Sequence, residues 1–175
     1  MCGIAGYIMF SGFVKDTTII QKMTETLYHR GPDDAGTKLF GHSDYELALG
    51  QRRLSILDLT ESGHQPMNYK HLWTVYNGEV YNFKDIRDEL MGLGHSFTSQ
   101  SDTEVILHAF EQWNVRAVDK FIGMFAFAIY NEREDVFYIF RDRAGVKPLH
   151  YYSNNDASVF MFASELKYLP QAPLF

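Results

Sequence analysis

The stretch that most restricts the fold is Met124-Phe125-Ala126-Phe127-Ala128-Ile129-Tyr130. It is apolar or aromatic throughout, so it does not alternate as a half-buried strand would. A strand of this kind is buried on both faces, and its sheet needs one covering layer above and another below. Glu132 to Asp135 read as a hairpin turn and Val136 to Arg141 as the returning strand. Pro148 to Tyr152 and Val159 to Ala163 read as two more strands, joined by the turn-rich Ser153-Asn154-Asn155-Asp156. Earlier in the chain Ile4 to Met9, Tyr45 to Leu49 and Leu72 to Tyr76 also read as strands. The first meets a turn signal at Ser11-Gly12. The third runs into Asn77-Gly78-Glu79, and Asn-Gly is among the strongest short turn signals.

Helical spacing appears between these strands. Ile19, Ile20, Met23 and Leu27 form one apolar face over Asp16 to His29, with Asp16 or Thr17 available as a cap. Pro32 ends that pattern, because proline disfavours helical geometry in the residue before it. Asn82 to Leu93 predicts a helix with Phe83, Ile86 and Leu90 inward and Gly94 as its stop. Ser101-Asp102-Thr103-Glu104 has the spacing of a capping box and opens a helix to about Trp113, with a short helix around Ala117 to Ile122. Gly63 to Met67 reads as an irregular loop. Two groups of strands with helices between them predict an α+β fold, in which two packed sheets carry helices outside. There is no internal repeat, low-complexity segment or linker, so residues 1–175 are expected to form a single domain.

Charge and composition narrow the function classes. A net charge of -6 argues against a nucleic-acid or anionic-membrane partner. No apolar run approaches the length of a membrane span. Met1 to Phe10 lacks the basic start of a signal peptide, and Lys15-Asp16 interrupts the apolar stretch. A cytoplasmic location is therefore expected. The seven histidines show no metal-ligand spacing, so no metal site is expected. The single cysteine is Cys2. If Met1 is removed, its thiol and the free α-amine share one residue, a nucleophile beside its own base. Position alone favours the plainer reading, a buried thiol of an apolar strand.

The neighbouring motifs weigh on that choice. Met1-Cys2-Gly3-Ile4-Ala5-Gly6, His29-Arg30-Gly31-Pro32-Asp33, Arg53-Leu54-Ser55-Ile56 and Asn77-Gly78-Glu79-Val80-Tyr81-Asn82 come in order. Ser101-Asp102-Thr103-Glu104, Gly123 to Ala128, Arg141 to Leu149 and Ala163-Ser164-Glu165-Leu166-Lys167 follow. With these motifs the chain resembles the glutaminase domain of class II glutamine amidotransferases, the asparagine synthetases in particular. The resemblance covers nearly the whole chain. It implies an Ntn-hydrolase fold, a four-layer αββα sandwich of two antiparallel sheets with outer helices.

The resemblance also implies roles. Cys2 corresponds to the nucleophile that attacks the side-chain amide of L-glutamine, with its own α-amine as the base. Asn77 and the backbone N–H of Gly78 correspond to the oxyanion donors. Arg53 corresponds to the partner of the glutamine α-carboxylate, a role suited to a forked guanidinium. Glu79 and Asp102 correspond to the partners of the α-ammonium, and backbone atoms of Ile56 and Leu57 to part of the pocket wall. Asp102 is equally placed to cap a helix. Arg52 is expected at the surface, and His29 and His64 in packing or surface roles. Arg30-Gly31-Pro32-Asp33 is expected to fix a loop near Cys2, and Arg141-Asp142 and Lys147-Pro148 to form strand ends and an ion pair. Gln51 stands where many relatives carry histidine and is expected to tune that loop.

The implied activity is hydrolysis of glutamine to glutamate and ammonia through a Cys2 thioester, with the ammonia supplied to an ATP-dependent amide-forming synthetase. ATP and Mg are expected only in such a synthetase domain, of which no nucleotide-binding loop appears here, and the glutaminase domain is expected to need no cofactor. The ammonia acceptor stays open, as does homodimer formation. An alternative class is a catalytically silent glutamine-binding or assembly module, as when Met1 stays attached and Cys2 has only an amide nitrogen. A third is a glutaminase that feeds sugar-phosphate amination.

Overall fold

Strand β6, Gly123–Asn131, is the apolar run, and it lies between β5, Leu72–Val80, and β7, Val136–Arg141. The computed structural model describes residues 1–10, 18–54 and 63–167. A short strand β4, Met67–Tyr69, joins the free side of β5 to complete a four-stranded sheet of order β4-β5-β6-β7. The other sheet contains β1 (Gly3–Phe10), β2 (Asp34–Gly41), β3 (Tyr45–Arg53), β8 (His150–Ser153) and β9 (Val159–Ala163). Its order is β2-β3-β1-β9-β8, which places β1 at the centre. All pairings in both sheets are antiparallel.

Three apolar clusters define four layers. Helix α1, Thr18–Thr26, sets Ile19, Ile20 and Met23 against Ala5, Tyr7 and Ala48 of the five-stranded sheet. The opposite face of that sheet, through Ile4, Leu47, Leu49 and Phe162, meets Val75, Ala126 and Ala128 of the other. Helices α2, Phe83–Gly92, and α3, Asp102–Trp113, then cover the outer face of the four-stranded sheet through Ile86, Leu90, Ile106 and Phe110. Along β6 the side chains divide by parity. Phe125, Phe127 and Ile129 face the helices, whereas Ala126, Ala128 and Tyr130 face the partner sheet. The expected αββα sandwich is the observed architecture.

Several elements differ from the sequence reading. Strand β2 is an edge strand whose glycines and mixed polarity hide it, with only Thr37 and Phe40 as strong strand formers. Asn77-Gly78 is not a turn. It lies inside β5, paired with Ala126 and Phe125 of β6. The capping box is divided between neighbours. Ser101 Oγ accepts from Thr103 N at 3.1 Å, while the Glu104 carboxylate binds the N–H and hydroxyl groups of Thr98 and Ser99. Asp142 forms no ion pair among the described residues. Its carboxylate accepts from the backbone N–H groups of Phe125, Val146 and Lys147. Gln51 lies inside β3 rather than in a loop and is fully buried. His29 and His64 are both half-exposed, paired with Glu165 and Asp34 respectively. The expected turn at Ser11-Gly12, the caps Asp16 and Thr17, and Ile56 and Leu57 lie outside the described residues.

His108 of α3 is an ionisable group inside the helix layer. Its ring stacks on Tyr69 and Phe97, with centroids 3.7 and 4.3 Å away. Its Nδ1 pairs with His95 Nδ1 at 3.0 Å, and its buried Nε2 has no hydrogen-bond partner among the described residues, with Glu104 Oε1 3.9 Å away. Burial disfavours the imidazolium and lowers the pKa to about 4, although the nearby Glu104 charge opposes the shift. The unfolded chain therefore binds this proton first, and stability falls as pH drops from about 6.5 toward 4. Urea unfolding at pH 6.5 and at pH 5 should show His108→Phe losing less stability between the two than the parent, by about 1–2 kcal/mol.

Candidate active site

Cys2 precedes β1, the central strand of its sheet, and is half-buried. Its thiol lies beside Leu54, with Sγ 3.5 Å from Leu54 N and 3.7 Å from Leu54 O. The 3₁₀ turn Tyr28–Arg30 brings Arg30 against the same residue. Arg30 Nε donates to the Cys2 carbonyl at 3.0 Å, and Nη1 donates to Glu165 Oε1 at 3.0 Å. Past the end of β9, Ser164 Oγ accepts from Ile4 N, and Ser164 N donates to Ile4 O. The motifs around Arg30 and Ser164 thus hold the start of β1 from two sides.

The opposite wall is the edge of β5. Strand β4 covers β5 only at Leu72 to Thr74, so among the described residues the edge from Val75 to Val80 has no strand beside it. Parity fixes which groups point out there. Phe125 donates to Asp142 Oδ2 and accepts from Asp142 N, so both its backbone groups face away from β5. Gly78 and Phe125 are therefore a non-hydrogen-bonded pair, and the Gly78 N–H points out of the sheet edge. So do Tyr76 N, which donates to Gln65 Oε1 at 2.7 Å, and Val80 N, which donates to Asp102 Oδ2 at 3.2 Å. A Cβ on Gly78 would lie 2.4 Å from the Met124 carbonyl oxygen, so the close strand approach requires glycine.

Cys2, Arg53, Leu54, Gly63, Gln65, Tyr76, Gly78, Ser101, Asp102 and Thr103 line one open cleft. It therefore joins Cys2, Arg53, Gly78 and Asp102 of the expected set. Asn77 is buried, on the side of β5 that faces the other sheet. Its Nδ2 is a buried donor without a partner among the described residues, an amide left free to meet an acceptor. The guanidinium of buried Arg53 packs against Gly63, where a Cβ would come within 2.0 Å of Nη2. Arg52 faces the outer side, over the Tyr28 ring and donating to Thr24 O, as expected of the arginine outside the pocket.

Asp102 is the first residue of α3. Burial raises its carboxyl pKa and the nearby Glu79 charge adds to the rise, while hydrogen bonds from Tyr76 Oη, Val80 N and Thr103 N oppose it. Glu79 itself is half-buried on β5. Glu79 does not line the cleft, but its charge reaches Asp102; the Arg53 guanidinium and the Asp102 carboxylate beside the thiol suit a zwitterion whose reactive end meets the sulfur. Sequence reasoning missed Gln65 and Tyr76. Gln65 lies in a loop with no periodic signal, and Tyr76 reads as an ordinary core aromatic.

An antiparallel two-sheet sandwich with its lone thiol at the start of the central strand is the N-terminal-nucleophile amidotransferase arrangement. Glutamine phosphoribosylpyrophosphate amidotransferase from B. subtilis, solved with ADP and GMP, shares this fold with a TM-score of 0.77 and 22% identity, over 97% of this chain and 43% of that one. The family model of the glutamine amidotransferase domain matches residues 1–175, and the chain belongs to that family. Asparagine synthetase [glutamine-hydrolyzing] 3 of Bacillus subtilis is 41% identical over 95% of this chain and 27% of its own length. Asparagine synthetase [glutamine-hydrolyzing] 3 of Arabidopsis thaliana is 38% identical over 97% of this chain and 28% of its own. The chain thus spans little more than a quarter of the length of these curated relatives.

The Arg30–Glu165 contact gives a test of how the start of β1 is held. Partial burial pushes the Glu165 carboxyl up, but hydrogen bonds from His29, Arg30 and Lys167 outweigh it and hold the group at about 2. This stabilisation is present above about pH 4.5 and is lost as pH falls toward 2. Glu165→Gln should lower unfolding free energy at pH 7 by about 1–2 kcal/mol, the order of a partly exposed charge-assisted hydrogen-bond cluster. In denaturant titrations the gap between variant and parent should close as the pH approaches 2.

Proposed function

We propose that this domain hydrolyses L-glutamine to L-glutamate and ammonia through a thioester on Cys2. It would supply the ammonia to an ATP-dependent, amide-forming synthetase of the asparagine-synthetase type. The observation that carries the reading is the single cleft that joins Cys2 to Arg53, Gly78 and Asp102. The glutamine α-carboxylate lies against Arg53 and its α-ammonium against Asp102 and Glu79. Cys2 Sγ attacks the side-chain amide carbon, and the thiol proton passes to the Cys2 α-amine. Asn77 Nδ2 and Gly78 N donate to the oxyanion. As the intermediate collapses, the amide nitrogen takes the proton from the ammonium of Cys2 and leaves as ammonia, and water then cleaves the thioester to glutamate and restores the thiol. These steps draw on no metal or nucleotide. ATP and magnesium belong to activation of the acceptor carboxylate, outside residues 1–175.

The relatives named for glutamine-hydrolysing asparagine synthesis support this type of synthetase partner over sugar-phosphate amination. Among the described residues no helix is long and apolar enough to cross a membrane. We take the site of action to be the cytoplasm, where the thiol stays reduced.

The base exists only when Met1 is absent, because an amide nitrogen cannot take the thiol proton. Glutamate release by protein with a free Cys2 amine should be abolished in Cys2→Ala, and a parental rate in that variant would refute the mechanism. Protein that retains Met1, identified by intact mass, should bind glutamine in calorimetry without turning it over. Gly63→Ala must displace the Arg53 guanidinium, so steady-state kinetics should show KM rising at least about tenfold with kcat largely kept.

A further inference from the structure

We infer that Tyr76 is a positioning residue for substrate binding, holding Asp102 ionised and aimed so that its carboxylate meets the α-ammonium of the amino-acid substrate. The inference rests on the proposed role of Asp102. Tyr76 Oη donates to Asp102 Oδ2 at 2.7 Å, and both residues are buried at the wall of the cleft. The same oxygen accepts from Val80 N at 3.2 Å. These two donors on Oδ2 set the tilt of the carboxylate at the cleft wall, and Thr103 N adds a third to the group. Tyr76 is itself fixed at three points. Its N–H donates to Gln65 Oε1, its carbonyl accepts from Gln51 Nε2 at 3.2 Å, and its ring meets Phe127 edge-on. Gln65 in turn donates from Nε2 to Thr103 Oγ1 at 3.2 Å, which ties the tyrosine backbone to the helix that carries Asp102.

The hydroxyl answers an electrostatic difficulty. A carboxylate inside the molecule with a second carboxylate nearby tends to take a proton, and a protonated Asp102 does not attract an ammonium. The charged groups around it are Glu79 on β5, Arg53 on β3, Cys2 ahead of β1 and Glu104 on its own helix. Glu79 works against ionisation of Asp102, and burial works more strongly in the same direction. The Glu104 charge is already taken up by Thr98 and Ser99. A phenol is suited to this task because burial and the Asp102 charge hold its own pKa well above the ordinary value, so it remains a donor.

The test is the pH dependence of glutamine hydrolysis in Tyr76→Phe, which keeps the ring against Phe127 and removes only the donor. The acid limb of kcat/KM should move up by about one pH unit or more. KM should rise at least about tenfold at pH 6, while kcat at saturating glutamine and pH 8.5 stays within about twofold of the parent. Tyr76→Leu, which also lacks the hydroxyl, should show the same shifted limb and serves if the Phe variant melts early. Asp102→Asn separates this inference from the reading beneath it. It should raise KM strongly at every pH. If it leaves KM unchanged, the ammonium role of Asp102 fails. If Asp102→Asn raises KM but both Tyr76 variants keep the parental acid limb, the positioning role of Tyr76 is overturned.

Discussion

A backbone N–H buried beside a sheet must find an acceptor, and among the described residues the edge of β5 beyond Thr74 has no strand to provide one. Three outward N–H groups occur along it at alternate residues. Gln65 accepts from Tyr76, Asp102 accepts from Val80, and between them Gly78 opens on the cleft. The shortness of β4 therefore governs the site. A longer β4 would satisfy the edge and fill the cleft, while a bare edge without Gln65 and Asp102 would leave buried donors orphaned. The side chains that replace the missing strand also bring helix α3 and the loop at Gln65 to the thiol.

The two-sheet architecture was legible because β6 is apolar on both faces and α1, α2 and α3 keep helical spacing. The order of motifs around Cys2, Arg53, Asn77 and Asp102 pointed to one pocket, and the fold brings Cys2, Arg53, Gly78 and Asp102 to a common cleft. What stayed hidden was tertiary in origin. Asn-Gly inside a strand defeats local turn statistics because β6 approaches Gly78 more closely than any side chain would allow. Strand β2 is held by its pairing with β3 rather than by its own propensity. Glu104 has the spacing to return to Ser101, yet Thr98 and Ser99 offer it four donors and win. The partners of Asp142 are backbone groups, which no pattern of charged letters can announce.

Gln51 and Gln65 show how polar side chains serve inside this sandwich. Each reaches the backbone of Tyr76, one at its carbonyl and the other at its N–H. A charged residue in either place would bring a desolvation cost that an amide avoids, while an apolar one would leave the strand edge unpaired. Their geometry fixes the strand one residue before Asn77, so Asn77 and Gly78 inherit a position set at the residue before them.

The central place of β1 has a consequence for when such a site can exist. Its neighbours are β3 and β9, and Ser164, just past β9, closes hydrogen bonds with Ile4, while Glu165 reaches Arg30 beside Cys2. The thiol is made well before its mounting. An emerging polypeptide carries the sulfur throughout its synthesis, but the scaffold that aims it waits for residues 159–165 to leave the ribosome.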